Sequence, residues 1–142
     1  MQHSSTVQGH LVMDLVLSHE LSLRILADVA YEAGDPFAVR FTFHLPGSAP
    51  VTWFFARDLL LDGISGPAGE GDVRIHPVGE ELSEVRVVLR SPDGDAVLRA
   101  SSAPLIAFLA RTDRLVPVGQ ELTGRELDAK LADILRGREN AG

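Results

Sequence analysis

Phe37-Ala38-Val39-Arg40-Phe41-Thr42-Phe43-His44-Leu45 puts an apolar side chain at every odd position and a polar or small one at every even position. Successive side chains of a strand point to opposite faces, so this period of two predicts a strand with one buried and one wet face. Asp35-Pro36 turns the chain into it, and Pro46-Gly47-Ser48 turns it out toward a further strand over Val51 to Phe55. Trp53, Phe54 and Phe55 follow one another there, which predicts cover on both faces of that strand. Upstream, Leu11 to Leu17 and Leu23 to Tyr31 read as the two arms of a hairpin around Ser18-His19-Glu20.

Downstream the alternation stops. Ala56 to Asp62 reads as a short helix ended by Gly63, and the glycine-rich stretch Gly63 to Gly71 as a loop between the two halves. Three more strands are predicted at Val73 to Val78, Leu82 to Arg90 and Ala96 to Ala100, the last two joined by the turn Ser91-Pro92-Asp93-Gly94. Ser102 is read as the N-cap of a helix running to about Arg114, with Pro104 in its first turn and Leu105, Phe108 and Leu109 on one face. Val116-Pro117-Val118-Gly119 breaks that helix. Thr123-Gly124-Arg125-Glu126 is a capping box for a last helix with Leu127, Leu131, Ile134 and Leu135 on its apolar face, ended by Gly137. Residues 1–8 and 138–142 are expected to fray. Strands and helices are segregated along the chain, so the expected class is α+β, about seven mostly antiparallel strands in a single domain over 1–142.

Composition narrows the function. A chain of 142 residues buries about 68–70% of its unfolded surface and needs no staples. There is no cysteine, which removes disulfides and thiolate metal sites. No signal peptide or membrane-spanning run is legible, and the expectation is a cytoplasmic protein. Twenty carboxylates against thirteen basic residues give a net charge of −7, which repels phosphate backbones at long range. All the basic residues except Lys130 are arginines, a bias that GC-rich coding explains without a mechanism.

A search for chemistry finds little. The five histidines, His3, His10, His19, His44 and His76, form no ligand spacing on a helix; His44 and His76 lie on wet strand faces where they could meet across a sheet. Asp72, Arg74 and His76 share a strand face, but with no strained Ser or Cys nearby they read as a surface charge ladder. The Gly66–Asp72 segment follows a helix and precedes a strand, the reverse of a phosphate cradle. Neither catalytic residues, nor metal ligands, nor a cofactor site are expected. Five strand arginines, Arg40, Arg74, Arg86, Arg90 and Arg99, keep single-stranded nucleic acid open as an alternative.

Several ordered segments resemble the SsgA-like proteins of sporulating actinomycetes, the SsgB-type branch most of all. They are Asp35 to Val39, Thr42-Phe43-His44, Trp53 to Leu60, Gly71 to Pro77, Ser91 to Gly94, Phe108 to Asp113 and Val116 to Gly119. The resemblance implies a Whirly-like fold, a homo-oligomer (a trimer), and a non-enzymatic role in sporulation-specific cell division. It also implies partners among division proteins, FtsZ or another SsgA-like protein, and concentration at division septa. Arg111, Thr112, Asp113, Gly119 and Gln120, in the connection least explained by core packing, are the expected partner-binding residues.

Overall fold

The alternating stretch becomes the third strand of one antiparallel sheet. In the computed structural model, which describes residues 5–121 and 131–136, the strands are β1 (Thr6–Val16), β2 (Ser22–Glu32), β3 (Ala38–His44), β4 (Val51–Ala56), β5 (Val73–Val78), β6 (Glu84–Ser91) and β7 (Gly94–Ser101). Helix α1 (Arg57–Gly63) follows β4 and helix α2 (Ser102–Leu115) follows β7. The strand order is β4-β3-β2-β1-β7-β6-β5, with every pairing antiparallel, so α+β holds as the class.

One face of this sheet makes the core. Leu11, Met13, Ile25, Ala27, Val29, Val39, Phe41, Phe43, Phe55, Val85, Val87 and Leu98 are all buried on it, at the positions that strand alternation assigns to one side. Both helices pack there: α2 inserts Leu105, Phe108 and Leu109, and α1 inserts Leu60. Helix α1 touches β4 and β5, the two outermost strands of the order, so the sheet curls until its edges are bridged by one helix. The turn of that helix into the following loop needs Gly63, where a Cβ would stand 2.4 Å from the Ile75 side chain. Beyond β5 the loop adds one more rung: Ala68 and Ile75 exchange backbone hydrogen bonds of 2.8 and 2.9 Å.

Four expectations are corrected. Residues 6–8, expected to fray, pair with β2, and Val7 is buried opposite Tyr31. Phe54 is 59% exposed, because it points from the face of the sheet that carries no helix, and only the opposite face of β4, with Phe55, is covered. The strand expected from Leu82 begins at Glu84, because the chain first makes a 3-10 turn over Glu80–Leu82, with Glu81 and Leu82 both in the left-handed region. Ser102 does not cap α2. It is the first helical residue, buried, and its hydroxyl donates to the Leu82 carbonyl at 2.8 Å, a tertiary partner that outcompetes the local one. Residues 131–136 are helical with Leu131, Ile134 and Leu135 exposed, while Thr123 to Leu127 and Gly137 lie outside the described residues. Among the described residues no helix is long and apolar enough to cross a membrane.

Candidate functional site

The connection after α2 is held by its own backbone and by one buried arginine. Val116 N–H donates to the Thr112 carbonyl at 2.9 Å, and Gln120 N–H to the Pro117 carbonyl at 2.9 Å. The second bond closes a four-residue turn with Gly119 in third place at φ +91°, the position where a type II turn demands a left-handed residue. Asp113 accepts the Val118 N–H at 2.9 Å from the outer side. From the inner side Arg57, 1% exposed, donates to the carbonyls of Val116 at 2.7 Å and Thr112 at 3.2 Å. Its other terminal nitrogen donates to Glu121 Oε1 at 2.9 Å, and its guanidinium lies 4.9 Å from the centre of the Tyr31 ring.

Glu121 completes the clamp. Its own backbone N–H, then the Gly119 N–H and the Arg57 guanidinium, hold its carboxyl below the ordinary glutamate value of 4.5. Burial pushes the Tyr31 phenol up, so it stays a neutral donor to the Pro36 carbonyl at 2.9 Å. What the clamp leaves outside is Val118, 48% exposed, with Gly119 and Gln120 beside it. A Cβ built on Gly119 would meet nothing within 4 Å.

The five residues expected to contact a partner therefore divide. Gly119 and Gln120 form the exposed tip. Arg111 is exposed but ties α2 to β1 by donating to the Gln8 carbonyl at 2.8 Å, and Asp113 is spent on the loop itself. Thr112 is corrected outright. It is fully buried, its hydroxyl donates to the Leu109 carbonyl at 2.7 Å, and no partner reaches it. Arg57 and Glu121, which sequence reasoning passed over, are the residues that shape the tip; Arg57 opens a helix that also carries Asp58 and Asp62, so nothing local marked it as the buried one.

The strand arginines are gathered differently. Arg40, Arg74, Arg86, Arg90 and Arg99 each alternate with buried core residues, so all five project from the face without helices. Arg86 and Arg99 stand opposite each other across β6 and β7, while Arg40, on β3, is separated from them by β2 and β1. Arg90 lies 3.9 Å from the Asp95 carboxylate.

On the same open face Asp28 joins two histidines from the flanking strands. Its carboxylate lies 2.6 Å from His10 Nδ1 on β1 and 2.7 Å from His44 Nε2 on β3. These hydrogen bonds, His44 first and His10 second, hold its carboxyl below the ordinary 3.8. His44 and His76 do not meet, because β2, β1, β7 and β6 lie between their strands. Among the described residues no group of three or more His, Cys, Asp or Glu side chains could hold a metal ion.

Comparison with known proteins adds what geometry alone does not. The family described as Streptomyces sporulation and cell division protein, SsgA, matches residues 25–121. The sporulation-specific cell division protein SsgB of Streptomyces coelicolor is 43% identical over 133 residues, covering 93% of this chain and 97% of the relative. Among solved structures, the SsgA-like sporulation-specific cell division protein of Thermobifida fusca YX-ER1 superposes with a TM-score of 0.79 at 38% identity, covering 93% of this chain and 98% of that one. A chain solved in a study of SsgB mutations that correlate with longitudinal cell division during sporulation of Streptomyces coelicolor superposes with a TM-score of 0.78 at 44% identity, covering 82% of this chain and 92% of that one.

Proposed function

The chain belongs to the SsgA family of Streptomyces sporulation and cell division proteins, and on that premise we propose that it acts in sporulation-specific division through protein contacts made by the Val118-Gly119-Gln120 tip. The observation that carries the reading is the clamp. Arg57, Asp113 and Glu121 fix the backbone of a short loop from both sides and leave the side chains of Val118 and Gln120 exposed at its tip. A preorganised, exposed tip binds without the cost of ordering itself. The partner in this reading is a division protein, FtsZ or another SsgA-like protein, met in the cytoplasm at the septum.

In the same reading the chain is a Whirly-like subunit of a homo-oligomer, a trimer. The open face supports assembly: Val12 and Leu26, opposite each other on β1 and β2, are 57% and 43% exposed, and Phe54 is 59% exposed. No step of this role needs catalysis. A second reading, as a binder of single-stranded nucleic acid, is favoured by one observation, the five arginines on a single face. The net charge of −7 opposes it.

The test is a fluorescent fusion of Gly119→Ala in sporulating filaments together with its melting curve. A nearly native melt with septal foci lost supports the tip as a contact. Normal foci with a modest loss of stability reduce Gly119 to a turn residue and sink the proposal.

A further inference from the structure

Arg86 and Arg99 are directly opposite each other on β6 and β7, an arrangement in which like charges destabilise the sheet. Neither guanidinium makes a hydrogen bond or ion pair among the described residues, and the Nε of each is buried without a partner. Asp14 faces Arg99 from β1 but lies 3.6 Å from Arg24 Nε instead. The two arginines line a pocket of about 420 Å³ walled by the turn between β1 and β2. Glu20 also lines it and pairs with neither. Burying donors with nothing to receive them is unfavourable, and a sequence keeps such a violation where a ligand repays it.

We propose that the Arg86–Arg99 pair is a binding site for a carboxylate side chain carried on an acidic segment of a partner protein with aliphatic neighbours. The guanidinium fork matches a carboxylate through two parallel hydrogen bonds. The walls select the rest of the ligand. Leu17 and Leu21, 56% and 59% exposed on the turn, and Val97 offer aliphatic contact beside the cations. No Phe, Tyr or Trp lines the pocket to stack a base, and the net charge of −7 repels an extended polyanion more than a short acidic peptide. The site lies on the face away from the helices and uses no residue of the 116–121 loop, so it stands or falls independently of the tip.

The buried Nε–H groups are themselves the reporters. The full chain, labelled with ¹⁵N-arginine, is titrated with a peptide of alternating Asp and Leu, with its Asn-for-Asp counterpart, and with an oligothymidylate. The Asp peptide should move the Arg86 and Arg99 Nε–H signals, assigned from the single variants Arg86→Met and Arg99→Met. The double Met variant should bind the peptide about tenfold or more weakly, while Gly119→Ala binds it as the native chain does. Removing the repulsion should also raise the melting temperature of the double variant. Unmoved signals on the native chain, equal shifts with the Asn peptide, or tighter binding of the oligothymidylate overturn the proposal. So does a lowered mass of the double Met variant in light scattering, which would assign the pair to a contact between copies.

Discussion

Arg57 and Gly119 donate to the same oxygen of one carboxylate, Glu121 Oε1, from 2.9 and 3.1 Å. The buried end of that arrangement is the start of α1; the exposed end is the tip of the 116–121 loop. The conformation of the most exposed residues is thereby tied to a guanidinium that solvent does not reach.

Arg57→Met should release the loop. Removing one partner of a buried, hydrogen-bonded ion pair costs on the order of 3 kcal/mol, and the Thr112 and Val116 carbonyls and the Glu121 carboxylate each lose one donor at once. The melting temperature should fall by about 10 °C. Amide exchange at Val118 and Gln120 should accelerate more than at strand positions such as Val87. Equal acceleration everywhere would show that Arg57 serves global stability alone.

Gly119→Ala should be milder. The new methyl group meets no atom within 4 Å, so the cost is the left-handed backbone alone, about 1 kcal/mol. A melt lowered as far as that of Arg57→Met would mean that the turn at 117–120 collapses, contrary to this account.

The pH dependence carries a sign. Glu121 and Asp28 both have folded values below their ordinary 4.5 and 3.8, so the unfolded chain takes up their protons first. Their stabilising contribution is in full force above those ordinary values and is lost as the pH falls through the lower folded ones. The melting curve of Glu121→Gln should therefore lie below that of the native chain at neutral pH and converge on it in acid. A constant gap down to the most acidic conditions would remove Glu121 as the titrating group.

Light scattering at micromolar concentration should return a mass above the 15.3 kDa of one chain, because Val12, Leu26 and Phe54 leave apolar area on the open face. Substituting Leu26→Lys should shift the mass downward. A native mass of one chain would sink the oligomer.

Much of the fold was legible because period-two alternation is strong in β3 and because β6 and β7 meet at a Pro-Asp turn closed by Gly94 at φ +130°. Phe54 misled because a run of aromatics does not say whether both faces of its strand are covered or only one. Ser102 misled because the competing acceptor, Leu82, is twenty residues away. The site was legible only in outline. The glycine and proline of the turn announce themselves, but the Arg57–Glu121 contact spans 64 residues and follows from how the sheet curls. Asp28, His10 and His44 are likewise invisible until the register of three strands is known, since a slip of one residue would turn each to the opposite face.

The rung between Ala68 and Ile75 makes the two margins of the sheet unequal. The outer side of β5 is occupied at Ile75 by the chain's own loop, whereas β4 ends the sheet with no strand beyond it among the described residues. Polymerisation by strand addition needs a free margin at each end of every unit, one to give and one to receive. At Ile75 the loop between α1 and β5 takes up the backbone groups that an added strand would need, so β4 is the more receptive of the two margins.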